Sequence, residues 1–268
     1  MKNNSGLYIG TSGWSYDSWR GVFYPEDMGK SKYLEHYAAC FPTVEIATTY
    51  FQMPQASAFS EFAQAVPDSF IFSVKANRYI THIKRLKDGR SILPPFLNRL
   101  ENLKEKMGPI LLQIPPNWSF NRERLKSFLE AMPQNLRFVF EFHHPSWHND
   151  STYELLAQKN AALGIFQVGE RITPKISTSD FIYIHISQSK VKSSRTIPNL
   201  LEDWIGPFGN WSAAGKDIFC YFQGEDNSAI ADALHFRDGI EKAIGTGRRK
   251  RRVLEKPGIS KDRISKAA

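Results

Sequence analysis

The sequence predicts an α/β fold, a single-domain (β/α)8 barrel of the TIM type, on three observations. The chain has 268 residues, long for a two-layer domain and ordinary for one barrel. Its apolar residues gather into eight short, nearly continuous runs, the form taken by parallel strands buried on both faces. Helical patterns lie between most of these runs, and strand alternating with helix eight times makes a barrel. A doubly wound open sheet is the rival. It calls for fewer strands and a glycine-rich phosphate turn, which the chain lacks.

The eight runs are Leu7–Ser12, Val44–Thr49, Phe70–Lys75, Pro109–Ile114, Arg137–Phe142, Leu163–Val168, Phe181–Ile186 and Asp217–Phe222. Apolar residues three and four apart predict helices over Ser31–Phe41, Ala56–Val66, Pro95–Met107, Arg122–Met132, Thr152–Asn160 and Ala229–Ile244. Asn199–Trp211 reads as a helix interrupted by Gly206-Pro207. Only Gly169–Asp180 separates the sixth and seventh strands, and Pro174 breaks it, so the sixth helix is expected to be rudimentary or missing. The long loops Gly13–Lys30, Ala76–Pro94 and Ser187–Pro198 follow strands and belong at the C-terminal face, where barrel sites are built. The first carries Trp14, Tyr16, Trp19, Phe23 and Tyr24, and suits a pocket wall or lid as well as a packed cap.

Hydrophobic residues make up 41% of the chain, with 19 Phe, 10 Tyr and 6 Trp, enough for a sizeable core. No apolar run is as long as a membrane span, and Met1–Gly6 shows no signal-peptide apolar stretch. Cys40 and Cys220 form neither a metal spacing nor a disulfide framework, so a cytoplasmic setting is expected. The net charge is +8, but residues 245–268 hold nine Lys/Arg against Glu255 and Asp262, leaving +7 there and +1 elsewhere. The reading is a barrel over 1–244 and a basic, disordered tail over 245–268. The tail is either solubilising or a weak, salt-sensitive contact to nucleic acid or another acidic surface.

Side chains alternate along a strand, so parity sorts barrel lumen from helix-facing layer. Phe70, Phe72, Val74, Phe138, Phe140 and Phe142 suit the helix side. Ser73, Lys75, Leu111, Gln113, Val139, Glu141, His143, Tyr183, His185, Tyr221 and Gln223 then face inward. Lys75, Gln113, Glu141, His143, His185, Tyr221 and Gln223 form a polar ring near the strand ends. Buried charge must be paired, hydrated or functional, and a Lys75–Glu141 pair is one expectation. Glu45 reads as structural, nearer the N-terminal face, ion-paired with Arg137. No phosphate loop, zinc-protease motif or Cys-x-x-Cys occurs. The basic, hydroxyl-rich loop Ser189–Arg195 could take a phosphate or simply be solvated.

These residues also carry a resemblance. The chain resembles the YecE-like family, known as domain of unknown function 72, over about residues 7–244. The matching blocks are Y-I-G-T-S-G-W at 8–14, W-R-G-V-F-Y-P at 19–25, V-E-I at 44–46, and F-S-V-K-A-N-R-Y-I-T-H at 72–82 with K-R-L-K-D at 84–88. They continue with G-P-I-L-L-Q-I-P-P at 108–116, E-F-H-H-P-S-W at 141–147, D-F-I-Y-I at 180–184 and D-I-F-C-Y-F at 217–222. The resemblance implies a TIM barrel and brings no established activity. Trp14, Lys75, Arg78, Tyr79, His82, Gln113, Glu141, His144 and Trp147 match family motif positions. The chain departs at Ala47, where the family usually has Asn, and at His143, where it has Arg. It departs again at His185-Ile186-Ser187-Gln188, which replaces an Arg-Leu-His-Gly-like ending, and at Gln223-Gly224. Two lost arginines imply weaker anion binding, since imidazole is a poor substitute for a guanidinium fork.

The expectation is an enzyme, hydrolase- or isomerase-like, acting on a small anionic or sugar-like substrate. Lys75, Glu141, His144 and His82 are its catalytic candidates. Trp14, Arg78, Tyr79, Gln113, His143, Trp147, His185 and Tyr221 are its binding candidates. No metal or other cofactor is predicted. One alternative is a metal-dependent phosphoesterase or endonuclease-like barrel, its divalent ion held by residues such as His143, His144, His148, His185, Glu141 and Asp226. Another is a non-catalytic ligand- or nucleic-acid-binding protein.

Overall fold

The computed structural model describes residues 5–187 and 197–245. The loop Ser189–Arg195 and all but the first residue of the basic tail therefore lie outside the described residues. Eight parallel strands form the wall: β1 (Leu7–Thr11), β2 (Thr43–Ile46), β3 (Ile71–Lys75), β4 (Met107–Ile114), β5 (Phe138–Phe142), β6 (Ala162–Val168), β8 (Phe181–Ser187) and β9 (Asp217–Gln223). They run in the order β1-β9-β8-β6-β5-β4-β3-β2. The short β7 (Arg171–Ile172) folds back antiparallel on β6, as a proline-broken twelve-residue connection dictates, and no helix stands there.

The other connections carry α1 (Tyr33–Cys40), α2 (Ala56–Gln64), α3 (Gly89–Leu100), α4 (Arg122–Ala131), α5 (Asp150–Gln158), α6 (Ile197–Ala213) and α7 (Asn227–Ile244). Asn121 and Asn149 start α4 and α5 by accepting the backbone N–H three residues on. Gly245 ends α7 in the left-handed conformation at φ 64°.

The parity argument holds in the packing. Leu111, Val139, Ala162, Phe181, Tyr183, Phe219 and Tyr221 fill the barrel interior as a separate cluster. Phe70, Phe72, Val74, Phe138, Phe140, Phe142 and Cys220 pack into the larger core between strands and helices.

Three elements differ from the sequence reading. β2 stops at Ile46, because Thr49 turns back and the carbonyls of Ile46 and Lys75, at 2.8 and 2.6 Å, share its single hydroxyl hydrogen. α3 starts at Gly89, contains Pro94 and Pro95 and ends at Leu100, so the prolines do not mark its start, and Met107 belongs to β4 rather than to the helix. α6 runs unbroken through Gly206-Pro207. Pro207 has no N–H for the Asp203 carbonyl, and the Lys175 ammonium supplies the missing donor at 2.9 Å while standing 4.2 Å over the Trp204 ring.

The wall closes between β1 and β2 almost without strand pairing. One bridge joins Ser12 to Glu45, with Gly13 N–H on the Glu45 carbonyl at 2.9 Å. Below it the Tyr37 hydroxyl of α1 acts as a backbone surrogate. It accepts from the Thr11 N–H and hydroxyl at 2.8 and 2.9 Å, and donates to the Thr43 carbonyl at 3.1 Å. Tyr37→Phe should strand a buried donor and a buried acceptor, costing about 1–3 kcal/mol for each group left unsatisfied. A urea midpoint unchanged from wild type would show that the seam closes without this hydroxyl.

The aromatic loop after β1 is a packed cap rather than a lid. Trp19, Phe23 and Tyr24 are buried, Tyr24 stacks on Tyr33 at 3.8 Å, and the Trp19 indole donates to the Asp226 carbonyl at 3.0 Å.

Candidate functional site

Inward parity puts Glu45, Glu141 and His185 in one layer near the C-terminal strand ends, from β2, β5 and β8. All three are buried, with 0–1% of their surface exposed. His185 bridges the two carboxylates: Nδ1 lies 2.5 Å from Glu141 Oε2 and Nε2 lies 2.9 Å from Glu45 Oε2. An ionised carboxylate only accepts, so both ring nitrogens donate and the ring is an imidazolium. Burial opposes that charge, but the two flanking carboxylates outweigh it and push the His185 pKa up to about 10. Burial would likewise raise Glu45, yet the charge and hydrogen bond of His185, the Lys75 charge and the Ser12 hydroxyl bring it down to about 2. Glu141 is held well below the usual carboxylate range, against its burial, by His185 and His143.

The remaining lone pairs are satisfied. Ser12 and Tyr183 hydroxyls donate to the two Glu45 oxygens, each at 2.5 Å. The Gln113 amide and His143 Nε2 both meet Glu141 Oε1 at 2.7 Å, with Gln113 opposite Glu141 in the strand register. The Gln223 side-chain amide lies beside His185 Nδ1, and only its oxygen can face a nitrogen that is itself donating. Two negative charges and one positive thus leave the array with a net negative charge, which positive groups above it complement.

Those positive groups come from β3 and the loop after it. Lys75 stands 4.7 Å over the Tyr50 ring. His82 is fixed at both nitrogens, Nε2 to the Tyr50 hydroxyl at 3.0 Å and Nδ1 to the Thr81 hydroxyl at 2.9 Å. Burial first, then its neighbours Lys75, Arg78, His143 and Arg85, lower its pKa. These groups therefore share one electrostatic neighbourhood.

The structure corrects several sequence readings. Glu45 is not a structural partner of Arg137. It is the third residue of a four-residue strand and faces inward to His185, while Arg137 pairs with Asp217 at 2.8 Å and lies over Phe181 and Phe219. Among the described residues Lys75 makes no ion pair with Glu141, whose oxygens are taken by Gln113, His143 and His185. Trp147 is fully buried, stacked on Phe142 at 4.6 Å with its indole on the Trp118 carbonyl, so it is core rather than a substrate face. Tyr221 is also fully buried, its hydroxyl shared by Ser73 and Thr43. His185 belongs to the buried array rather than to a binding surface. His144 caps the turn that follows, Nδ1 on the Ser146 hydroxyl at 2.8 Å. Trp14 is half-buried edge-on to Phe62, and Arg78 and Tyr79 are exposed.

Ser12, Glu45 and Tyr183 are the array members that sequence reasoning missed as site residues. The signal for Glu45 was a carboxylate between Val44 and Ile46 in a strand buried at every position. Among the described residues no group of three His, Cys, Asp or Glu is arranged to hold a metal ion, because the array's donors already face one another.

Eight parallel strands, helices outside, and a charged polar array at the C-terminal strand ends define a protein of the TIM-barrel class. The chain belongs to the family described as Protein of unknown function DUF72, whose model matches residues 8–253. It is 23% identical to the UPF0759 protein YunF of Bacillus subtilis over 266 residues, covering 84% of this chain and 91% of YunF. It is 29% identical to the UPF0759 protein YecE of Escherichia coli over 143 residues, 53% of this chain and about half the length of YecE (50%). Among solved structures, a DUF72 family protein from Thermotoga maritima superposes with a TM-score of 0.71 at 25% identity, covering 88% of this chain and 99% of the other. One from Enterococcus faecalis gives 0.70 at 16% identity, covering 91% and 100%, and shows the shared fold. Among the described residues no helix is long and apolar enough to cross a membrane.

Proposed function

We propose that the chain is an enzyme that moves a proton on a small, polar, anionic substrate at the strand ends, with His143 as the acid–base group. The observation that carries this is the His143–Glu141 pair. A buried carboxylate, already ionised by its neighbours, holds Nε2 of a half-buried imidazole at 2.7 Å, with 27% of the His143 side chain exposed. Glu141 can only accept, so it fixes the tautomer with hydrogen on Nε2 and leaves Nδ1 free to take a proton. Phe166 stacks on the ring at 4.4 Å and holds its plane.

Glu141 itself suits an anchor better than a base, because three donors and a low pKa remove its appetite for a proton. Lys75 and Arg78 supply positive charge for the substrate anion. Arginine, which the resemblance implies at position 143 in other members, could bind but not exchange a proton, so this role is particular to this chain.

The test is turnover across a panel of sugar phosphates and sugar acids. His143→Gln keeps the bond to Glu141 and should lower kcat by about 10²–10⁴, with the fold intact by circular dichroism. His144→Gln should leave kcat close to wild type. Wild-type turnover in His143→Gln would sink the assignment. So would failure to turn over any member combined with a His143 imidazole resonance that inorganic phosphate does not move.

A further inference from the structure

The loop after β3 has a second character that proton transfer does not use. Residues 75–90 hold six Lys/Arg (Lys75, Arg78, Lys84, Arg85, Lys87, Arg90) and one acid, Asp88. None of the six takes part in an ion pair among the described residues. Beside them stand the most exposed large apolar side chains of this face: Phe51 at 75%, Ile83 at 61% and Tyr79 at 45%. An exposed aromatic usually pairs with nothing in particular; two of them among unpaired cations make a specific chemistry.

The backbone is built to hold this display. Asn77 starts it, its amide donating to the Thr49 carbonyl at 2.9 Å and its oxygen accepting the Tyr79 N–H at 2.9 Å. Tyr79–Ile83 forms a π turn, a feature frequent at functional sites. Arg85, Leu86 and Asp88 then take positive φ of 46°, 60° and 57°. Left-handed backbone at a non-glycine residue costs about 1 kcal/mol or more, and three in four residues persist only when the surroundings fix them. Leu86, buried, is the fixing point, and the Arg85 carbonyl is held by Arg124 at 3.1 Å. The result turns Arg85 and Lys87 outward. Tyr50 ties the neighbouring loop to it through His82, and Phe51 packs edge-on to Tyr50 at 4.8 Å. Lys84 stands 5.6 Å over the Tyr79 ring.

We propose that this surface, centred on Phe51, Arg78, Tyr79, Ile83, Lys84 and Arg85, binds single-stranded nucleic acid. Unpaired cations match a phosphodiester backbone, and exposed aromatic faces match unstacked bases, which a duplex does not offer. An acidic polypeptide would satisfy the charge and leave Phe51 and Tyr79 without a role. The surface shares Arg78 with the substrate site proposed above but does not depend on the chemistry assigned to His143.

The experiment is fluorescence anisotropy of the full-length chain with labelled oligouridylate and oligothymidylate of about 12 nucleotides, against a duplex of equal length. Single strands should bind and the duplex more weakly. Phe51→Ala with Tyr79→Ala should weaken binding about tenfold or more, the loss expected of one stacked base. Arg78→Gln with Lys84→Gln should reduce the slope of log K against log salt by about 1.4. Replacing Arg248, Arg249, Lys250, Arg251 and Arg252 with Gln separates any contribution of the tail, and the Phe51/Tyr79 ratio should survive it. His143→Gln should bind as wild type does. Wild-type affinity in the Phe51/Tyr79 variant, equal binding of duplex, displacement by polyglutamate as effective as by oligonucleotide, or no binding at all would each overturn the proposal.

Discussion

Replacing His185 with Leu is expected to destabilise the chain by about 3–5 kcal/mol, the cost of breaking a buried ion pair and leaving charge uncompensated. The imidazolium is the only cation bonded to both Glu45 and Glu141 among the described residues. Without it two buried carboxylates face each other across an apolar side chain, and one of them must take up a proton. The effect has a pH signature that lost packing alone would not give. In wild type, His185 is raised from 6.5 to about 10, so its contribution is complete below pH 6.5 and is lost as pH climbs toward 10. Glu45 is lowered from 4.5 to about 2, so its contribution is present above pH 4.5 and is lost as pH falls through 2. Both describe the same contact, and the contact is strongest between pH 4.5 and 6.5. In His185→Leu the carboxylates become weaker acids when folded, so stability should instead fall as pH rises from acid toward neutral. Urea unfolding of both proteins between pH 4 and 10 reads this directly. A loss below about 1 kcal/mol, with the wild-type pH profile retained, would show that the array is not held by this charge.

Much of the array was legible, and its failures have a common cause. Strand parity placed Gln113, Glu141, His143 and His185 on the inner face, and the register bears that out for Gln113 opposite Glu141 and for His185 opposite Tyr221. Parity does not give height along the barrel axis. For Glu45 the run Val44–Thr49 extends three residues past the end of β2 at Ile46, so a height taken from the run sets the carboxylate too close to the opposite face. Thr49, whose hydroxyl ends that strand, carries no sequence signal for doing so. Trp147 failed differently. A tryptophan just past a strand end suits a substrate face or a buried plug equally, and only the packing of Phe142, Trp118 and Phe120 around it decides.

The departures that the resemblance implies at 185 and 143, arginine in each case, have a physical reading. Position 185 lies between two carboxylates, so a cation there, imidazolium or guanidinium, is engaged by Glu45 and Glu141 before it can bind anything else. The loss of an arginine at 185 therefore says little about anion binding. The loss at 143 matters more, because that side chain is half-buried and reaches the strand ends. Near the strand ends, positive charge comes instead from Lys75 at the end of β3 and Arg78 in the loop after it.

Gly10→Ala is expected to be the most damaging small substitution in the barrel, at about 3 kcal/mol or more from overpacking and lost hydrogen bonds together. The conformation of Gly10 is not the reason; the space beside it is. A Cβ there would lie 2.2 Å from the Thr43 carbonyl oxygen and 2.9 Å from the Tyr37 hydroxyl. The first is backbone of the neighbouring strand and cannot swing aside, so β1 and β2 must part at the one edge where the wall has almost no ladder. Parting them pulls the Thr11 N–H off Tyr37 and the Ser12 hydroxyl off Glu45, so the closure and the charged array fail together. The block Gly10-Thr11-Ser12-Gly13 is thus a seam and a site anchor in four residues: Gly10 for approach, Thr11 for Tyr37, Ser12 for Glu45, and Gly13 for a turn at φ 90°. Gly209→Ala, also in α6, is the matched control, since the nearest atom a Cβ would meet outside its own helix is Ile244 Cγ2 at 3.9 Å, an ordinary contact. It should be neutral or stabilising by up to about 1 kcal/mol. Urea midpoints of the two variants should move in opposite directions. If Gly10→Ala moved no further than Gly209→Ala, the seam would have slack that the 2.2 Å approach denies, and closure would have to be assigned to the helices rather than to the Tyr37 bridge.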